Sequence, residues 1–280
     1  RIIQNLIEKE SGHCINGAFS KKFYDFALLN KINAISYHYD KEEYNVDEIS
    51  KSHELLALTL NETSTGIMCD NDTIKKIRSK VDSLIALDCV SGIPSLPFDI
   101  CEVDTFYFSV QKCFGLPSGL GVWVYNEKCL NKHNNLQKKK ITGTYHSLNK
   151  LHKMGLKNQT PETPNVLGIY VFSMVLKDMI NIGVENIRRD TTYKSTLLYN
   201  TINNHPELNS FINNKKIQSK TVIVADTMKE ANFYINGLRK KGKIIGKGYG
   251  SLTNQIRIAN FPTHSKEVFE SLCDELNQLK

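Results

Sequence analysis

Thr105-Phe106-Tyr107-Phe108-Ser109-Val110-Gln111-Lys112-Cys113-Phe114-Gly115-Leu116-Pro117-Ser118-Gly119-Leu120-Gly121 is the stretch on which the reading of this chain turns. Residues 105–110 are rich in aromatic and β-branched side chains and predict a strand, whereas the glycines and proline that follow predict a turn. Working outward, Gly121–Tyr125 is a further strand candidate. Toward the N-terminus lie the apolar run 84–90, interrupted only by Asp88, the run 54–60, and a short β-like run at 32–38. Residues 72–81, between two of these runs, have helical character. Strand–helix–strand alternation with nearly continuous apolar strands predicts the α/β class, with a mainly parallel sheet covered by helices on both faces.

The second half has a different texture. Residues 165–182 predict a long helix, apolar on most sides through 166–176 and therefore expected to be buried. Residues 184–203 predict an amphipathic helix carrying Ile187, Thr191 and Leu198 among charges. Strand 221–225, helix 227–240, strand Gln255–Ala259 and helix 265–279 then predict a smaller α/β domain. The expected division is a large domain over 1–180 and a small one over 181–280.

Composition bounds the function. The chain has 280 residues, 40% of them hydrophobic and 23% charged, with a formal net charge of +7. These values exclude disordered, collagen-like and coiled-coil classes. No apolar run approaches the roughly 18 residues of a membrane span. The basic runs 138–140 and 239–243 lack interleaved aromatics and read as solvated loop faces, so no nucleic-acid partner is expected. The seven cysteines are odd in number and have no zinc-like spacing, which predicts a reducing, cytoplasmic setting and no metal. Residue 1 is Arg and residues 2–9 read like the middle of a helix, which leads to the expectation that an N-terminal segment precedes them.

In open parallel sheets, ligands bind beyond the carboxyl ends of the strands. Thr63 follows the run ending at Leu60, Asp88 lies near the end of the next run, and Lys112 lies just past residues 105–110. A hydroxyl, a carboxylate and an amine are thus expected at one cleft. Taken singly, each has an ordinary structural role open to it: Thr63 or Asp88 as a cap or turn residue, Lys112 as a surface lysine. A desolvated lysine near a carboxylate is what Schiff-base chemistry requires.

At these residues the chain resembles the class V aminotransferases, pyridoxal-phosphate enzymes of fold type I. Ser109-Val110-Gln111-Lys112 leading into Gly115-Leu116-Pro117-Ser118-Gly119 resembles the family's Ser-x-Gln-Lys-x-x-Gly-x-Pro-x-Gly segment. Asn61-Glu62-Thr63, and the 24-residue interval from Asp88 to Lys112, are similar to the family's phosphoserine branch. Glu162-Thr163-Pro164-Asn165 and Arg257-Ile258-Ala259-Asn260 add to the likeness, which extends over nearly the whole chain.

The resemblance implies pyridoxal 5′-phosphate as cofactor and transamination between phosphoserine and 2-oxoglutarate. It implies Lys112 as the Schiff-base lysine and proton shuttle, and Asp88 as partner of the pyridine nitrogen. Thr63 falls near the cofactor's 3-hydroxyl, Gln111 near its phosphate, and Phe19 near the face of its ring. Glu162 and Thr163 are implied to reach the phosphate in the neighbouring subunit of a homodimer, with the acidic Glu162 standing where relatives often have Asn. Arg257 is implied as the clamp for the substrate carboxylate. Serine–pyruvate and alanine–glyoxylate types remain alternatives, as does a non-catalytic remnant. A cysteine desulfurase fits less well, because those relatives carry His before the lysine. The family's N-terminal phosphate loop is not among these residues, so the 280 residues alone are expected to bind the cofactor weakly. Gly246-Lys247-Gly248-Tyr249-Gly250 reads as a flexible loop near the site, His146 and His152 as surface residues, and Cys113 as packing.

Overall fold

A computed structural model describes residues 1–39, 44–139, 145–250 and 253–279. Lys140, which ends the basic run 138–140, lies outside the described residues. A six-stranded sheet is built from β1 (Glu10–Ile15), β2 (Asn33–His38), β3 (Leu55–Thr59), β4 (Leu84–Asp88), β5 (Thr105–Ser109) and β6 (Gly121–Tyr125). The spatial order is β2-β1-β3-β4-β5-β6. Neighbours are parallel except β5 and β6, which pair antiparallel.

Side-chain alternation along the central strands feeds two cores. Leu56, Leu58, Ile85, Leu87, Phe106 and Phe108 face one side, where Ile74 and Ile77 of helix Asn71–Lys80 cover them. Leu55, Ala57 and Ala86 face the other, covered by Phe23 and Ala27 of helix Ala18–Leu29 and by Cys129 of helix Glu127–Gln137. Leu55, Leu56 and Leu58 are fully buried, each burial contributing about 1.5–3 kcal/mol. Two-sided burial is why these strands read as continuous apolar runs rather than alternating ones. Helix Asn71–Lys80 starts where the Asp70 side chain accepts from Thr73 N at 2.7 Å, and it ends as Val81 turns extended.

The smaller sheet consists of β7 (Leu208–Ser210), β8 (Val222–Thr227), β9 (Gly246–Lys247) and β10 (Gln255–Ala259) in the order β9-β10-β8-β7. All its pairings are antiparallel. Helices Ala231–Lys240 and Lys266–Asn277 supply Tyr234, Leu238, Phe269 and Leu272 to its core. Helix Val184–Asn204 joins the two bodies: Ile187 belongs to the large core, Leu198 and Ile202 to the small one.

Four expectations are corrected. Residues 2–9 are not one helix: it ends at Leu6, Ile7 is extended, and β1 begins at Glu10. Helix Val166–Ile182 is not buried. Met179 is its one buried residue, whereas Leu167 is 73% and Ile180 70% exposed. An apolar surface around most of a helix demands cover, and among the described residues it is Phe172, Val175 and Met179 that find it against the core. The small body has four strands rather than two, because β7 and β9 are too short to stand out from their neighbours. Its helix begins at Ala231 rather than at 227, since β8 runs on to Thr227.

Candidate active site

Parallel β3, β4 and β5 send their carboxyl ends to one edge of the sheet. Asp88 is the last residue of β4, and Lys112 lies three residues past the end of β5. After β3 the chain forms a small hairpin between Asn61–Glu62 and Ile67–Met68, and Thr63 opens its turn. Strand register aligns Thr59 with Asp88 and Asp88 with Tyr107.

Asp88 is buried. One carboxylate oxygen accepts from Val90 N at 2.9 Å, the other from the Tyr107 hydroxyl at 2.8 Å. Among the described residues no cation pairs with it, and desolvation pushes its pKa up to about 6 against the pull of those two hydrogen bonds. A buried carboxylate with ordered oxygens and no counter-ion suits a ligand that brings its own positive charge.

Lys112 is half-buried and its amine makes no side-chain hydrogen bond or ion pair among the described residues. Burial, and then the neighbouring Arg257 charge, hold its pKa below the usual lysine range. Both effects favour the neutral, nucleophilic amine. The turn that carries it closes through Gly115 N donating to Lys112 O at 3.0 Å. Gly115 has φ +67, and a Cβ there would lie 2.1 Å from Thr263 Cγ2, so glycine is required. Cys113 is fully buried beneath, its thiol 3.6 Å from Ser91 O.

Thr63 is buried, and its hydroxyl donates to Ser91 Oγ at 2.8 Å. Ser91 Oγ in turn donates to Asn61 O at 3.0 Å and accepts from Asn61 Nδ2 at 2.8 Å. With Ser91 donating elsewhere, the Thr63 proton is committed, and Thr63 offers a lone pair to a ligand hydroxyl.

Glu62 fixes the opposite wall. Fully buried, its carboxylate accepts from Phe19 N, from Ser20 N (2.8 Å) and Ser20 Oγ (2.9 Å), and from Ser64 N (3.0 Å) and Ser64 Oγ (2.7 Å). It thereby satisfies the orphan amides opening helix Ala18–Leu29, where an anion is favoured. A Cβ on Gly17 would lie 2.4 Å from Glu62 Cγ, which explains that glycine. Phe19 is held at this helix start.

Across the opening, the Phe19 ring meets Tyr249 edge-on at 5.1 Å, and the Arg257 guanidinium lies 5.0 Å from the Tyr249 ring centroid. Arg257 also donates from Nη1 to Thr63 O at 3.4 Å. Thr63, Lys112 and Arg257 line one cavity of about 480 Å³. Phe19, Asp88 and Tyr107 line a second one of about 550 Å³, which shares no lining residue with the first; the contacts of Tyr249 with Phe19 and with Arg257 connect the two sets of residues.

Phe19, Thr63, Asp88, Lys112 and Arg257 therefore gather at one edge, with Gln111 exposed beside Lys112. Glu162 and Thr163 do not join them. Both are exposed before helix Val166–Ile182, and the Glu162 carboxylate lies 3.8 Å from His146. The segment 246–250 is not wholly a loop, since Gly246–Lys247 forms the edge strand β9. Glu62, Ser91, Tyr107 and Tyr249 are site residues that sequence reasoning does not single out. For Tyr107 a signal exists: a polar tip within an apolar strand, five residues before Lys112.

A profile of the family described as Aminotransferase class-V matches residues 33–257. Phosphoserine aminotransferase from Corynebacterium glutamicum (strain R) is 30% identical over 279 residues, covering 95% of this chain and 72% of that protein. Its counterpart from Rhodococcus opacus (strain B4) is 27% identical, covering 97% and 74%. The crystal structure of a phosphoserine aminotransferase from Cytophaga hutchinsonii superposes with a TM-score of 0.96 at 39% identity, covering 99% of this chain and 78% of that one. An alanine–glyoxylate aminotransferase from Nostoc sp. has a TM-score of 0.86 at 19% identity, with coverages of 99% and 77%, and shares the fold.

Proposed function

The chain belongs to the class V aminotransferases, and on that premise we propose that its cleft moves an amino group between phosphoserine and 2-oxoglutarate with pyridoxal 5′-phosphate as cofactor. The observation that carries this reading is the buried Asp88 at the same sheet edge as the Lys112 amine, neither of them ion-paired among the described residues. Support for the substrate comes from the 39% identity to a phosphoserine aminotransferase, against 19% to an alanine–glyoxylate enzyme of the same fold.

The residues present fit the cofactor. Asp88 would balance a protonated pyridine nitrogen, Lys112 would attach the cofactor, and the Thr63 lone pair would receive its 3-hydroxyl. Phe19 would cover the ring, and Gln111 would meet the phosphate. When bound, pyridoxal phosphate supplies an electron sink that makes the amino-acid α-C–H acidic. Lys112, whose protonation is disfavoured by burial and by Arg257, would take that proton and return it on the other side of the transfer. The Arg257 fork grips the substrate carboxylate through two parallel hydrogen bonds, a geometry lysine cannot reproduce. Tyr249 stacks on that fork and limits its swing.

We read the protein as a cytoplasmic homodimer with a large domain over 1–180 and a small one over 181–280. The exposed apolar helix Val166–Ile182 supports a second copy as its cover. It directly follows Glu162 and Thr163, which on this reading reach the partner's cofactor phosphate. Seven unpaired cysteines accord with a reducing compartment. Among the described residues no single helix is long and apolar enough to cross a membrane.

The test is single-turnover chemistry. Protein loaded with pyridoxal phosphate should lose its visible absorption on phosphoserine and recover it with 2-oxoglutarate, and borohydride should trap the cofactor on Lys112. Lys112→Ala should abolish trapping and turnover. Persistent trapping in that variant would sink the assignment, and turnover with alanine alone would transfer it to the alanine–glyoxylate type.

A further inference from the structure

We propose that Tyr107 is a positioning residue for the cofactor site: its hydroxyl, donating to Asp88 Oδ2, sets the plane of that carboxylate and holds it as an anion for the ring nitrogen. The inference rests on the reading that Asp88 faces a pyridine nitrogen, and it assigns to β5 a part that Asp88 cannot play alone.

Three observations carry it. The register of β4 and β5 pairs Asp88 with Tyr107, so the contact is built by the sheet and not by a mobile side chain. The bond is 2.8 Å and the tyrosine ring is clamped by Phe23 at 5.8 Å in an edge-on contact. The other carboxylate oxygen is held by Val90 N at 2.9 Å. With one donor on each oxygen, each keeps a second lone-pair site open, and the carboxylate plane is fixed from both sides.

The groups around Asp88 are the Tyr107 hydroxyl on β5, Glu62 from the hairpin after β3, the neighbouring Cys89 thiol, and Arg1 and Lys22, which line the same cavity without pairing with it. Burial and the Glu62 charge oppose ionisation, while the Val90 amide and the Tyr107 hydroxyl favour it. Of the two favouring groups, the hydroxyl is the one a substitution can remove. A phenol donating to a carboxylate lowers the pKa of the acid and raises its own, and Tyr107 is accordingly held well above the usual tyrosine range, by burial first and then by Asp88.

The experiment uses the cofactor-free protein labelled with ¹³C at aspartate carboxyls, the Asp88 signal being identified by its loss in Asp88→Asn. In Tyr107→Phe the Asp88 midpoint should rise by about one pH unit from its value of about 6, a roughly tenfold weaker acid. Pyridoxal phosphate should then bind about fivefold to tenfold more weakly at pH 7. An unmoved midpoint overturns the proposal whatever happens to the cofactor. A raised midpoint with unchanged affinity overturns the positioning role. Wild-type protein that titrates as described yet binds no pyridoxal phosphate would instead overturn the underlying reading of the site. Should Tyr107→Phe fail to fold, wild-type protein labelled at tyrosine ¹³Cζ replaces it: the Tyr107 signal must follow the Asp88 titration, and a flat response refutes the contact.

Discussion

Replacing Asp88 by Asn should stabilise the cofactor-free protein while destroying its grip on the cofactor. The carboxyl titrates at about 6 in the fold against 3.8 in the open chain. Between those values the folded state keeps a proton that the unfolded state has released, so stability falls as pH rises through the window. Above about pH 6 the deficit levels off. At 1.36 kcal/mol per pKa unit it amounts to about 3 kcal/mol at pH 8 and about half of that at pH 5. Asn removes the deficit without leaving a gap. Its oxygen can still accept from Val90 N, and its amide can donate to the Tyr107 hydroxyl, which serves equally as an acceptor.

Urea unfolding of wild type and Asp88→Asn at both pH values isolates this one group, since every other titration cancels in the comparison. The stability difference should favour the variant and grow by about 1.4 kcal/mol from pH 5 to pH 8. Equilibrium binding of pyridoxal phosphate should meanwhile be lost or weakened by a factor of a hundred or more, on the order of 3 kcal/mol for an unpaired buried charge. A difference that is the same at both pH values, or that favours wild type at pH 8, would refute the reasoning. That result would place the charge of Asp88 in a solvated setting that the burial does not allow.

Two further outcomes follow from other parts of the site. Glu62→Gln leaves one acceptor oxygen for the five donors that Glu62 now receives and should cost about 2–3 kcal/mol in urea unfolding. A cost below 1 kcal/mol would mean that the Phe19 helix start is held by something else. Leu167→Asp combined with Ile180→Asp, at two of the most exposed apolar positions of helix Val166–Ile182, should shift the protein from dimer to monomer in sedimentation velocity with its far-ultraviolet circular dichroism unchanged. A variant that still sediments as a dimer removes this helix from the interface.

Much of this was legible because the central strands are buried on both faces. Residues 54–60, 84–90 and 105–110 read as apolar runs, and a polar residue at the end of such a run has few places to go, which is how Thr63, Asp88 and Lys112 stand out. β1 is not legible because its interior is polar: Ser11 Oγ and His13 Nε2 pair at 2.9 Å inside the core, a contact no periodicity signals. Glu62 stands within Asn61-Glu62-Thr63, yet its task depends on helix amides 43 and 42 residues away. Helix Val166–Ile182 is exposed where its composition predicts burial, and the reason is physical. An apolar helix needs cover, and the sequence does not say whether the cover comes from its own chain or from another.

The roles of Phe19, Thr63 and Arg257 meet in residues 61–63. The Glu62 side chain caps the helix that presents Phe19, the Thr63 hydroxyl is oriented by Ser91 and Asn61, and the Thr63 carbonyl accepts from Arg257. A shift of this turn would move the ring-covering residue, the hydroxyl-facing residue and the carboxylate clamp together. Asp88 and Lys112, by contrast, hang from β4 and β5, whose register is set by the core. The cleft therefore has one part tied to the sheet and another tied to one hairpin and to Tyr249. Substitutions within 61–63 should therefore weaken the binding of pyridoxal phosphate and of phosphoserine together, which equilibrium titration with each in turn would read.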